Sequence, residues 1–211
     1  MNRDWRDITH LMSGTDRQRA VYQVIRDLDV FYRLKHYSPL LVGTYPIDLD
    51  IEDSDIDIIC HAENLIEFDR EITAAYARYQ GFLSAPKIDG DLPSLTVDFT
   101  YKGMQVQIFA QQIPVEHQNA FRHMVIEDRL LHLAGFDARK AIRALKRRGL
   151  KTEPAFARYL EMEGDPYREL LALCRLSDEE LLDRLPILRN PKTSYPDDKP
   201  VSTMDWDDFL E

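Results

Sequence analysis

VGTYPIDLDIEDSDIDIIC, residues 42–60, decides the reading of this chain. The apolar run PLLV that leads into it ends at Gly43-Thr44, as a buried strand ends at a turn. A polar, turn-rich spacer of ten residues (45–54) follows. Asp55-Ile56-Asp57-Ile58 then opens a second strand, with acidic and apolar residues alternating. Side chains two apart on a strand share a face. Asp55 and Asp57 therefore present two carboxylates side by side, while Ile56 and Ile58 face the core. Adjacent like charges are costly unless a cation lies between them. Hard oxygen ligands suit Mg²⁺, which takes one or two carboxylates together with substrate phosphates. Gly43 admits close backbone approach, Thr44 offers a hydroxyl to a phosphate oxygen, and Ser54 is placed to brace the acids. The pattern points to a nucleoside triphosphate held through metal. The bland alternative is an acidic strand that blunts edge-to-edge pairing.

Outward from this stretch, helices and strands alternate. Val21, Val24, Ile25, Leu28 and Phe31 recur at helical spacing and predict an amphipathic helix over 15–36, capped by Thr15 or Asp16. A second helix is expected over 63–80, closed by Gly81. Residues 92–111 read as a hairpin about Lys102-Gly103. Pro114 opens a long helix that runs to Gly135, and further helices follow at 137–148, 153–162 and 165–184, the last broken near Ser177. The expected fold is α+β: a small mixed β-sheet with flanking helices, then a helical C-terminal half. Residues 1–112 would form the α/β core and 113–189 the helices packed on it. Residues 190–211, with three prolines and six acids, read as a flexible acidic tail.

Composition bounds the function. The 211 residues carry 27 Lys and Arg against 37 Asp and Glu, a net charge of −10. That argues against large nucleic acids as partners, because coating them needs a basic face. No apolar run reaches the roughly 18–20 residues of a membrane helix, so no membrane partner is expected. The N-terminus lacks the apolar core of a signal peptide. Cys60 and Cys174 form neither a disulfide framework nor a metal cluster, and a cytoplasmic location is expected.

The arrangement Val42-Gly43-Thr44, spacer, Asp55-Ile56-Asp57-Ile58 resembles the signature of the DNA polymerase β-like nucleotidyltransferase superfamily. Thr44 stands where Ser is usual and keeps the hydroxyl. Three segments, 41–60, PVEHQNAFRHMVIEDRLL (114–131) and GLKTEPAFARYL (149–160), are similar to a bacterial family of unknown function, DUF4269. The resemblance implies two Mg²⁺ ions and transfer of a nucleoside monophosphate from an NTP to an acceptor hydroxyl of unknown identity. It also implies a third carboxylate from a later strand. Asp98 in LTVDFTY is the candidate, since Thr96, Asp98 and Thr100 share the polar face of their strand. Asp55, Asp57 and Asp98 would hold the metals, and Asp98 would take the acceptor's proton. Gly43, Thr44, Ser54, Lys151 and Thr152 would bind the nucleotide. Gln105 and Gln107, on the next strand, are amides. If the third acid belongs on that strand, the chain is a catalytically inactive relative that binds a nucleotide or a partner. A third class is an interaction module built on the helical half and acidic tail.

Two further sets carry polar chemistry. Arg139, Arg143 and Lys146 lie on one helix face. They would either close on the triphosphate, pyrophosphate or an acidic acceptor, or pair with acids of this chain. Lys151 and Thr152 enter a helix whose first N–H groups suit an anion. On the long helix, Asn119, Arg122 and His123 would contact substrate or form a satisfied helix surface, and no third ligand at fitting spacing supports zinc. Asp48, Asp50, Glu52 and Asp53 read as a loop of solvated acids.

Overall fold

The computed structural model describes residues 3–89 and 92–190. All of the expected tail except Asn190 lies outside the described residues. α1 (Asp16–Leu28) starts at a capping box in which Thr15 and Gln18 exchange side-chain and backbone bonds. It ends where Asp29 turns left-handed (φ 55°), and the short α2 (Val30–Arg33) follows. Then come β1 (Leu40–Val42), β2 (Ile56–His61) and α3 (Leu65–Tyr76), whose first turn is capped by the Asn64 side chain. β3 (Gln80–Asp89), β4 (Leu92–Tyr101) and β5 (Met104–Gln111) complete the sheet. The rest is helical: α4 (Asn119–Arg147), α5 (Thr152–Tyr159), α6 (Pro166–Leu173) and α7 (Asp178–Arg184). Ser177 and Glu180 form the capping box of α7. At Gly135 the backbone leaves helical space (φ 76°, ψ −167°), so α4 consists of two helical halves.

The strand order is β1-β2-β5-β4-β3. β2 and β5 run parallel, and every other neighbouring pair is antiparallel. This is a mixed sheet with flanking helices, as the sequence predicts. The β4–β5 hairpin turns at Lys102-Gly103, both at positive φ (50° and 76°), the geometry that hairpin strands of right-handed twist prefer.

β3 departs from the expectation. The second helix stops at Tyr76, and Gly81 is not its cap but lies inside a strand, at φ 71° beside a register shift between Gln80 and Leu83. The strand escapes a periodicity reading because it is the sheet's edge: Gly81 sits at its irregular start, Pro86 interrupts it, and Leu83 remains 59% exposed.

The sheet separates two cores. Ile56, Ile58, Val97, Phe99, Val106 and Ile108 point to one face and pack with α1 and α3. Leu40, Val42 and Ile59 point to the other and pack with α4–α7. Asp57 alternates with Ile56 and Ile58, so it stands on the face toward α4. No helix among the described residues is long and apolar enough to cross a membrane.

Candidate active site

A cavity of about 670 Å³ opens between that face of the sheet and the helices. Its sheet wall is built by β1, β2, the turn between them and β5. Val42 pairs with Asp57 across β1 and β2. Gly43 sits at φ 76°, and a Cβ there would run into the Asp57 carboxylate, so only glycine lets the acid lie over the turn. Thr44 Oγ1 donates to Ser54 Oγ (3.4 Å), which accepts from the Ile51 amide (2.9 Å), and the Tyr45 hydroxyl donates to the Ser54 carbonyl (3.1 Å). Ser54 thereby fixes the approach to Asp55.

Asp55 is exposed at the mouth and Asp57 is half-buried below it. Burial, then the neighbouring Asp55 charge, pushes the Asp57 carboxyl up to about 7; Lys146 opposes this and Glu153 and Asp98 add to it. Burial and Asp98 raise Asp55 as well. The pair thus holds a proton more readily than ordinary carboxylates do, which is what two acids sharing a site without a cation should show.

Asp98 lies on the same face, two strands away. Asp57 pairs with Gln107, and Gln107 with Asp98, so the three form one row across β2, β5 and β4. Strand spacing puts the Asp57 and Asp98 backbones roughly 10 Å apart. Gln107 Nε2 donates to Asp98 Oδ1 at 2.9 Å. Gln107 lines the cavity and Asp98 does not. Among the described residues no three His, Cys, Asp or Glu side chains gather as a metal-binding group.

The helical wall brings in Lys151 and Thr152, at the start of α5, and Asn119 and His123 of α4; Arg122 is not part of it. It also contains two acids to which the sequence alone gives no role, Glu127 and Glu153, beside Lys146 and His123. Glu127, one turn beyond His123, is 2% exposed, and its Oε1 finds no partner among the described residues. Burial, reinforced by Glu153, raises its carboxyl well above the usual range. Lys146 is buried and donates to the Leu49 carbonyl (3.2 Å). Burial lowers its ammonium, against the pull of Glu127, Asp50 and Glu153. His123 Nε2 bonds the Tyr167 carbonyl at 2.9 Å, and Nδ1 lies 3.6 Å from Glu153 Oε1. The i, i+4 spacing of His123 and Glu127 is readable in the sequence, and so is Glu153 beside Lys151-Thr152; what each faces is not.

The basic face of α4 takes the second of its two readings, apart from Lys146. Arg143 holds Asp48 at 2.6 Å, Arg139 lies 3.7 Å from the same carboxylate, and Arg147 holds Glu52 at 3.0 Å. Arg17 of α1 holds Asp50 at 2.7 Å. The acidic loop is therefore not simply solvated: Asp50 is 5% exposed, and Arg147 pulls the Glu52 carboxyl down to about 2.

A family model described as "Domain of unknown function (DUF4269)" matches residues 23–173. No curated protein matches. Among solved structures, Cid1 poly(U) polymerase bound to Mg 3'-dATP is similar at 13% identity and TM-score 0.47, over 74% of this chain and 48% of that one. Cid1 with its short product ApU is similar at 15% identity and TM-score 0.47, over 80% and 54%. A cytoplasmic RNA terminal U-transferase is similar at 14% identity and TM-score 0.45, over 74% and 46%. The chain spans about half the length of these structures.

Proposed function

The chain belongs to the DUF4269 family, and within it we propose a metal-dependent nucleotidyltransferase that moves a nucleoside monophosphate from an NTP to an acceptor hydroxyl. The observation that carries this reading is the Asp55–Asp57 pair, with Asp57 lying against Gly43, in a cavity of about 670 Å³, large enough for a nucleotide. The donor set fits Mg²⁺: two adjacent carboxylates, both raised by burial, Asp57 further by Asp55 and Asp55 further by Asp98, are relieved by a cation whose remaining ligands are phosphate oxygens. When bound, such an ion neutralises the triphosphate and stabilises the attacking and leaving oxygens. Asp55 and Asp57 would hold it. Gly43 and Thr44 would cradle the phosphates, and Ser54 keeps that turn in place. Lys151 and Thr152, at the start of α5, line the same cavity, and a helix start suits an anion.

Asp98 is proposed as the third carboxylate of a two-ion site. Its charge is felt at both Asp55 and Asp57, and the Gln107 amide fixes its direction. The net charge of −10 weighs against long RNA as the acceptor.

One observation favours a second reading, a nucleotide-binding module without turnover: an amide, Gln107, stands between the acid pair and Asp98 and occupies one of its oxygens. Thermal-shift scans of NTPs with and without Mg²⁺ test the common ground, since a ligand selective for the folded state raises the midpoint. Asp55→Asn with Asp57→Asn should abolish a Mg²⁺-dependent shift. Pyrophosphate release from ATP separates transfer from binding, and a protein that responds to no NTP with Mg²⁺ sinks both readings.

A further inference from the structure

We propose that His123 and Glu153 form the proton-accepting pair of this cleft: His123 Nδ1 takes the acceptor's hydroxyl proton, and the Glu153 carboxylate stabilises the resulting imidazolium. The inference rests on the nucleotidyl-transfer reading and adds to it a base on the helical wall.

On the sheet side the cavity is lined by Asp53, on the exposed turn, and by Asp55 and Asp57. On the proposed reading Asp55 and Asp57 would hold a cation, and Asp98 stands outside the lining with one oxygen taken by Gln107. On the opposite wall, the tautomer of His123 follows from its neighbour. Nε2 lies 2.9 Å from the Tyr167 carbonyl, and a carbonyl only accepts, so Nε2 carries the hydrogen. In the neutral ring Nδ1 then keeps its lone pair. The Tyr167 carbonyl is well anchored, because the Asp165 side chain caps the start of α6 by accepting from the Tyr167 (2.8 Å) and Arg168 (3.1 Å) amides.

Glu153 Oε1 lies 3.6 Å from Nδ1, beyond hydrogen-bond length but close enough to form an ion pair once the ring is protonated. Catalytic contacts are often long before substrate arrives. Both residues line the cavity, and the Glu153 charge is felt at Asp57, so the pair and the metal-binding acids face the same space. Glu127, packed nearby, is driven toward its neutral form by burial and by Glu153. The Tyr167 carbonyl orients the ring from Nε2, as a third group orients the base beside an activated nucleophile, and Glu153 stands beside Nδ1.

The step balances. The acceptor oxygen bonds to the α-phosphorus as the bridging P–O bond to the β-phosphate breaks. Pyrophosphate leaves with that electron pair, and the hydroxyl proton passes to Nδ1, from which solvent or the leaving pyrophosphate removes it.

The test measures pyrophosphate release from Mg²⁺–ATP, with water and glycerol as probe hydroxyls, and the Mg²⁺–ATP thermal shift of the same samples. His123→Gln should slow release about 10²–10⁴-fold and Glu153→Gln about 10-fold, while both keep the wild-type thermal shift. Added imidazole should restore release in His123→Ala, which a purely structural role would not allow. Glu153→Gln, at a partly exposed side chain, keeps the test standing should the His123 variants fail to fold. Release within about threefold of wild type in both glutamine variants overturns the pair. So does a loss of rate matched by loss of Mg²⁺–ATP binding. Wild-type protein that binds Mg²⁺–ATP but releases no pyrophosphate also overturns it and leaves nucleotide binding in place; a wild-type protein with no Mg²⁺–ATP shift sinks the functional reading itself.

Discussion

The two walls of the cleft handle buried charge differently. On the sheet wall, Asp55 and Asp57 stand side by side, and burial, then the Asp55 charge, pushes the Asp57 carboxyl up to about 7. On the helical wall, opposed groups meet: Lys146 lies in the field of Glu153 and of Asp50 from the linker, and His123 lies beside Glu153. A wall with an excess of one sign awaits a ligand of the other sign, whereas a wall whose charges offset one another can hold and move protons. On the proposed reading, the sheet wall would take a metal-bound anion and the helical wall would orient what reacts with it.

The largest expected effect breaks the sheet wall. Asp55→Asn with Asp57→Asn should lower pyrophosphate release roughly 10³-fold or more, on the scale of removing a dominant electrostatic stabiliser, and erase the Mg²⁺-dependent thermal shift. A double variant that still shifts with Mg²⁺–ATP would move the metal site elsewhere.

Next comes the charge state of Asp57. Its folded pKa is raised from 3.8 to about 7, so the folded state binds the extra proton. The stability this supplies is full below about pH 4 and is lost as pH rises through 7. Asp57→Asn should therefore stabilise the metal-free protein at pH 8 by a few kcal/mol at most, since each tenfold rise in proton affinity corresponds to about 1.4 kcal/mol. Near pH 4 it should have little effect. Urea unfolding at the two pH values checks the sign. A destabilised variant at pH 8 would mean the carboxylate is already paired. In wild type, Mg²⁺ binding must displace that proton, so its thermal shift should shrink as pH falls through 7.

Gly43→Ala should cost about 1–2 kcal/mol for the left-handed backbone alone. The methyl also meets Asp57, so Mg²⁺–NTP affinity should fall further than a comparable surface change would lower it. Calorimetry with Mg²⁺–ATP reads this; unchanged affinity would detach the glycine from the site.

The smallest effect sharpens the comparison from the other side. Glu127→Gln replaces a carboxyl already driven toward neutrality with an amide of the same shape. Its stability at pH 7 should change by no more than about 1 kcal/mol. A loss of several kcal/mol would mean that Glu127 is ionised against Lys146.

The sheet wall is legible in the sequence because its signals are local. Asp57 and Ile58 differ by one residue, and alternation alone assigns their faces. The Lys102-Gly103 turn sets the register that puts Gln107 opposite Asp98. Thr15 and Ser177 announce their helices through capping boxes. The helical wall depends on partners far apart in the chain. His123 and Glu153 meet only after the chain breaks at Gly135 and turns again at Gly149-Leu150. Arg143 and Asp48 are 95 residues apart, and nothing local tells a residue which acid its guanidinium will reach. β3 escapes for a third reason. An edge strand buries little, so its sequence carries weak alternation, and Gly81 and Pro86 read as breaks.

The linker from β1 to β2 is gripped from two directions. Arg17 of α1 holds Asp50, and Arg143 and Arg147 hold Asp48 and Glu52 from the part of α4 that lies beyond Gly135. Since Ser54 and Asp55 continue directly from that linker, the acid pair hangs on a rein whose ends are fastened to separate helices. A swing of the distal half of α4 about Gly135 would tug on Asp55 without touching it.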